Sequence, residues 1–499
     1  MKKSFKYSLV LVLSLFVLAS CSKDKLEPTP QTTLPDAVVF DTKDRIEAQV
    51  RGMYSSFRSG QYLGGRFQVY NDIRSNDFMN RQSNGVTGLL TWNHTLAAST
   101  GEVQNLWGQI YNAINRTNLF IEGLEAADPV TKGIITQAEY NHYRGQALAL
   151  RALAHFHVAM LYAWPHSRNP QAPGVILRTV ANKVGGDNSK TRSTLALTYT
   201  QILADLNAAE TLLPTVAAGT ANSAFFVSHI HRSTVIALKT KVYLHMSDWP
   251  NVIAEANKMV PAAAPFNSTI GVANGLHPSF EGIFRLPYTT RESLFSMPFN
   301  TVELPGTQNG LAHYFSAFPV GGNEYSLNTA AGAIWSNATF PATDARKLLV
   351  TGTGVNQYIA KYMSFPHSDW TPVIRWAEVL LNLAEAEARV NWGTNPARAV
   401  ALLNAVFKRS NPTAADMAAG EFANLNAFLT RLWLERNIEF LGEGQISMDI
   451  TRRQADFSAK TGVNAIPVTS LAYVWPIPQT ELNTNLLVQQ NNSVPSPAP

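Results

Sequence analysis

From Val103 onward, apolar residues recur at Leu106, Trp107, Ile110, Tyr111, Ile114 and Ile121. That spacing predicts one helix with one buried stripe. Tyr143 to Ala163 carries two stripes, Leu148, Ala152, Phe156, Met160 and Ala147, Leu150, Ala154, Val158, Leu161. A helix apolar on nearly every side is covered on several sides. Arg144, Arg151 and His155 share its remaining polar strip, and Trp164-Pro165 ends it. The same periodicity predicts helices over about 198–213, 231–247, 250–260, 371–391, 396–409 and 424–441. The helix over 371–391 places Val373, Ala377, Leu380, Leu381, Ala384 and Ala388 inward. Its outer face carries Arg375/Glu378 and Glu385/Arg389, spaced to pair along the helix. Paired helices joined by short turns predict a mainly α fold of degenerate repeats without a clean consensus.

Between about 262 and 370 the helical period stops. Gly, Pro, Asn, Ser, Thr and aromatic residues replace it. EGIFRLPY and SLFSMPF read as short strands, and VGGNEYSLNTAAGAIW, Val320 to Trp335, as loop. A long irregular segment rich in aromatic residues is functional rather than disordered.

The first residues form a leader. Lys2, Lys3 and Lys6 precede an apolar run from Tyr7 to Leu18, too short to span a bilayer. Leu18-Ala19-Ser20-Cys21 follows, with the chain's one cysteine where a lipobox needs it. Cys21 is therefore the expected lipidation site, and several acyl chains give stable anchoring where one is marginal. The division expected is a signal peptide over 1–20, a lipidated Cys and polar tether over 21–33, and one domain over 34–499. That domain has a helical body at about 40–260 and 371–450 and a loop-rich ligand region at about 262–370.

Composition narrows the ligand. Charged residues make up 15% of the chain and hydrophobic residues 45%. With the three leader lysines set aside, 37 basic residues face 35 acidic ones. No basic stripe supports nucleic-acid binding. One cysteine excludes an internal disulfide and a Cys-rich zinc site. His155/His157 and His229/His231 are i, i+2 pairs, which point apart on a helix, so no metal is expected. No cofactor motif, nucleophile elbow or phosphate loop is present. Glu378, Glu385, Glu387, Glu435, Glu439 and Glu443 stand near Arg375, Arg389 and Arg436, and structural ion pairs account for them. The protein is expected not to be an enzyme.

Several segments, in order, carry a resemblance. They are LEPTPQTT with RGMYSSF, LWGQIYNAINRTNLFIEGL, YRGQALALRALAHFHVAMLYAWP, WTPVIRWAEVLLNLAEAEARV, LERNIEFLGEG and YVWPIPQTELNTNLLVQQN. Together they resemble the SusD/RagB family of outer-membrane nutrient-binding lipoproteins over about Leu26 to Asn491. Two departures are Gln445, Ile446 and Ser447 before Met448-Asp449, and the ending NNSVPSPAP. The resemblance implies tetratricopeptide-like repeats, a loop-borne ligand site and a lipid-anchored place on the cell-surface side of the outer membrane. It implies a SusC-like TonB-dependent transporter as partner and a glycan as ligand, with oligopeptide as the alternative. A lipoprotein glycosidase and a protein-interaction scaffold are the remaining rivals.

Sugar C–H faces lie on aromatic rings while hydroxyls take hydrogen bonds, so mixed aromatic and polar loops are the candidates. Two stretches have that mix, Tyr70 to His94 and Tyr314 to Trp335. The expected platform is Trp92, Tyr314, Tyr325 and Trp335, with Asn71, Asp72, Arg74 and Asn93 as hydroxyl partners.

Overall fold

A computed structural model describes residues 38–81, 85–183, 185–186, 188–215 and 224–492. The leader, Cys21 and the tether lie outside the described residues. The first part of the chain forms α1 (Lys43–Phe57), α2 (Arg66–Ile73), β1 (Phe78–Asn80), α3 (Leu89–Trp92), α4 (Gly101–Ala127), α5 (Gln137–Tyr162), α6 (Leu195–Leu212), α7 (Ala224–Ser228), α8 (Arg232–Met246) and α9 (Trp249–Ala256). The irregular region holds β2 (Ser293–Met297), α10 (Leu311–Phe315), β3 (Tyr325–Leu327), β4 (Val350–Thr351) and β5 (Tyr358–Ile359). Then come β6 (Thr371–Arg375), α11 (Trp376–Asn391), α12 (Ala397–Ser410), α13 (Leu425–Glu439), α14 (Ile446–Arg452) and α15 (Gln479–Thr484).

The fold is mainly α, with tetratricopeptide-like helices packed against their neighbours in the chain. α5 lies between α4 and α6, α8 packs on α9, and α11 packs on α12. The all-round apolar α5 is buried from Tyr143 to Tyr162 apart from Arg144. It starts at a capping box in which Thr136 and Glu139 satisfy each other's backbone N–H groups. Its Arg151 meets Asp205 of α6 through Nε and Nη2, at 2.8 and 2.7 Å. One apolar core runs from Phe40 to Val488 and takes in helices from both halves of the chain.

Three expectations change. Residues 371–375 are a strand, not the first turn of α11. Pairing decides this: β6 runs antiparallel to β2, and the helix begins after it at Trp376. EGIF, residues 281–284, is a 3₁₀ turn rather than a strand. The loop expected over 320–335 contains β3, which pairs antiparallel with β1 from Phe78↔Leu327 to Asn80↔Tyr325.

The charges along α11 do not form an exposed face. Arg375, Glu378 and Glu385 are buried, and their main partners come from other elements. Arg375 is held by Glu292, Glu439 and Glu443. Glu378 meets Lys241 of α8 at 3.1 Å, and Glu385 meets Arg452 of α14 at 2.6 Å. Glu385/Arg389 is the pair along the helix that does form, at 3.7 Å.

Candidate functional site

The expected polar contacts sit on α2 and the turn after it, and the scaffold uses them. Asn71 is buried and donates from Nδ2 to Phe67 O one turn back, at 2.8 Å. Asp72 is fully buried. Its carboxylate accepts the Gly444 N–H at 2.9 Å and the Ile446 N–H at 3.4 Å, at the start of α14. Burial pushes its pKa up to about 8 despite those bonds. Arg74 is buried and donates from Nη2 to the Ala472 and Tyr473 carbonyls, at 3.2 and 2.7 Å.

Trp92 is 9% exposed, and its Nε1 donates to Phe78 O at 2.9 Å. The Lys460 ammonium stands 4.8 Å from its ring centre. Lys460 also donates to the Ile73, Arg74 and Ser75 carbonyls at the end of α2. Trp92 thus forms one wall of a buried cation site rather than a sugar platform. Asn93 is half-buried and caps α3, its side-chain amide turned toward the Leu89 and Leu90 carbonyls and the Thr95 hydroxyl.

Tyr314 and Tyr325 have no exposed surface, and their rings stack at 6.4 Å. Tyr325 donates its hydroxyl to Thr87 O at 2.8 Å. Neither ring can present a face to a polymer in this conformation. Both stretches that carry them form short elements that bury the side chains the loop reading left outside. Trp335 is half-buried, edge-on to Phe340 at 5.6 Å, with Lys347 Nζ 4.9 Å from its ring. Trp335 and Asn93 are the members of the expected set that keep substantial contact with solvent.

Among the described residues, two rings not singled out by sequence are the exposed ones. Phe318 is 77% exposed and Phe365 is 76% exposed. Their loops are joined by His367, whose Nε2 lies 2.7 Å from Val320 O and whose ring is 6.2 Å from Phe365. His313 stands 5.8 Å from His367, ring to ring, and 3.5 Å from Glu324. Thr87 donates to the other oxygen of Glu324 at 2.8 Å. Asn323 Oδ1 accepts the Phe318 N–H at 2.9 Å and holds that loop in its turn. The irregular stretches carry three Phe-Pro steps, Phe318-Pro319, Phe340-Pro341 and Phe365-Pro366, and Phe340 is buried, so the step alone does not mark an exposed ring. Two exposed rings on loops joined through an imidazole offer stacking and hydrogen bonding side by side.

The carboxylates that could have served a hydrolase are committed elsewhere. Glu435 and Glu439 are fully buried against Arg346, and Glu439 also against Arg375 and Arg409. The three arginines hold Glu439 below the usual carboxylate range. Glu443 bonds Lys361 and Arg375, both at 2.7 Å, and Glu387 meets Arg398 at 2.6 Å. Among the described residues no group of three or more His, Cys, Asp or Glu could hold a metal ion.

Comparison with known proteins gives a consistent picture. Residues 24–244 match a family described as starch-binding and associating with the outer membrane. Residues 321–494 match the SusD family. A SusD superfamily protein from Bacteroides fragilis is 30% identical, with 90% of this chain and 99% of that one covered and a TM-score of 0.79. One from Bacteroides thetaiotaomicron is 23% identical, with 90% and 100% covered and a TM-score of 0.77. A laminarin-binding SusD-like protein is 19% identical, with 90% and 99% covered and a TM-score of 0.67. Among curated proteins no relative matches.

Proposed function

The chain belongs to the SusD family, and from that premise we propose that it is a cell-surface lipoprotein that binds oligo- or polysaccharide and passes it to a TonB-dependent outer-membrane transporter. It binds glycan without cleaving it. Cys21 carries the lipid anchor, and the 21–33 tether lets the body stand off the membrane. Anchoring both partners in one membrane raises their effective concentration.

The observation that carries the reading is the exposed pair Phe318 and Phe365 beside His313 and His367, on the loop side of a SusD fold. A sugar ring stacks on each phenyl face, with the half-buried His313 and His367 imidazoles close by for hydroxyls and the buried Glu324 behind His313. Trp335 adds a further partly open ring. Weak contacts of this kind sum along a polymer.

Native affinity electrophoresis through gels containing starch, laminarin or other neutral and acidic polysaccharides tests this. Retardation by at least one polysaccharide is expected, without release of shorter products. No retardation in any gel, combined with tight binding of oligopeptides, would replace glycan by peptide as the ligand.

A further inference from the structure

Apart from the aromatic face there is a cavity of about 210 Å³ between the end of α2, the turn after α3 and the C-terminal segment. Its lining includes Arg74, His94, Leu471, Val474, Gln490 and Asn491. It is smaller than the usual drug-sized pocket, which suits one small ligand unit.

The cations at its base are met by carbonyls and rings rather than by carboxylates: Lys460 by three carbonyls and Trp92, and Arg74 on one face by the Phe457 ring, 4.4 Å from its guanidinium carbon. Arg74 is 3% exposed, and no carboxylate among the described residues pairs with it. Nη2 makes both of its hydrogen bonds, to Ala472 and Tyr473, and Nε and Nη1 make none among the described residues. Lys460 stands directly behind, bound to the Arg74 carbonyl. The acid nearest in effect, Asp77, is itself engaged by the Ile334 N–H at 2.9 Å. Burial drives His94 down to about 3, so its imidazole is neutral at pH 7 and adds no charge.

The rest of the lining complements an anion that also carries hydroxyls. Asn491 donates both amide protons, to Tyr162 O and Trp475 O, each at 2.9 Å, which leaves Oδ1 as an acceptor. Leu471, 55% exposed at the rim, and Val474 supply apolar wall. We propose that this pocket binds one acidic sugar unit, a hexuronate, with the carboxylate on the free Arg74 N–H groups, a hydroxyl on Asn491 Oδ1 and the sugar's C–H face on Leu471 and Val474. The idea rests on the glycan-capture reading for its choice of a sugar acid. It extends that reading to acidic glycans.

The test is calorimetry on the full chain at low salt with three probes, glucuronate, glucose and inorganic sulfate. Glucuronate is expected to bind roughly tenfold or more tightly than glucose, because charge-assisted hydrogen bonds are the stronger class. It is also expected to bind more tightly than sulfate. Leu471→Glu adds a carboxylate at an exposed rim position and is expected to weaken glucuronate at least tenfold, while Leu471→Gln retains it. Arg74→Gln, if folded, is expected to lose the preference over glucose. Equal binding of glucose and glucuronate, sulfate binding as tight as glucuronate, or an unchanged affinity in folded Leu471→Glu would each overturn the proposal. Polysaccharide retardation that persists in Leu471→Glu separates failure of this pocket from failure of the aromatic face.

Discussion

A buried ammonium without a carboxylate in contact needs oxygen from elsewhere, and Lys460 takes it from three carbonyls at the end of α2. Those carbonyls carry the negative end of the helix dipole, so a cation there is favoured. Trp92 covers the same ammonium with its ring face. Trp92→Ala is therefore expected to lower stability by about 3–5 kcal/mol, as removal of a buried Trp does. Polysaccharide affinity of the molecules that remain folded should be unchanged. Urea unfolding together with gel retardation checks both, and a fully stable variant with lost affinity would return Trp92 to the ligand site. At this scale the sequence was least legible. Tyr314, Tyr325, Asn71 and Asp72 have the residue types of a sugar site, but composition does not say which face of a short element turns inward. Phe318 and Phe365, two apolar residues in loops, look like core by type and lie outside it.

Elements were easier to read where the apolar period was long. α4 and α5 follow their stripes closely, because a stripe sustained over several turns has one way to be buried. The boundary at 371 failed because Val373 and Ile374 fit a helical stripe and a buried strand equally well, and pairing with β2 decided between them. The charges on α11 were legible as ion pairs but not as a buried network. Arg375 is fully buried with three carboxylates around it, one of which, Glu439, also binds Arg346 and Arg409. Breaking such a network leaves uncompensated charge in the interior. Arg375→Met is expected to cost about 3–5 kcal/mol in chemical denaturation. A loss below about 1 kcal/mol would mean that the remaining arginines neutralise the carboxylates unaided.

At the scale of the whole molecule, five buried imidazoles set the acid limit of stability. Burial lowers His94 and His155 to about 3 and His231 to about 4, and holds His157 and His245 far below the ordinary range. In the unfolded chain each titrates near 6.5, so below that pH the unfolded state binds more protons and stability falls. Asp72 acts in the opposite sense, since its raised pKa favours the folded state as pH falls from about 8 toward 4. Burial raises Asp77, Glu102 and Asp369 in the same sense as Asp72, and lowers the partly buried His142 and His166 in the sense of the five. The melting temperature is expected to drop between pH 7 and pH 5, by up to roughly 2 kcal/mol of stability per imidazole; a flat or rising profile would contradict neutral burial. The family and the mainly α architecture were legible because ordered helical motifs span nearly the full chain, whereas the ligand face depends on how loops 317–323 and 364–368 meet through His367. The most direct measurement is calorimetry of Phe318→Ala, Phe365→Ala and the double variant against the polysaccharide that retards the parent. Each folded single variant is expected to bind roughly tenfold more weakly, for about 1–3 kcal/mol of lost ring contact, and the double variant more weakly still. Parental affinity in the folded double variant would contradict the aromatic face as the site of glycan capture.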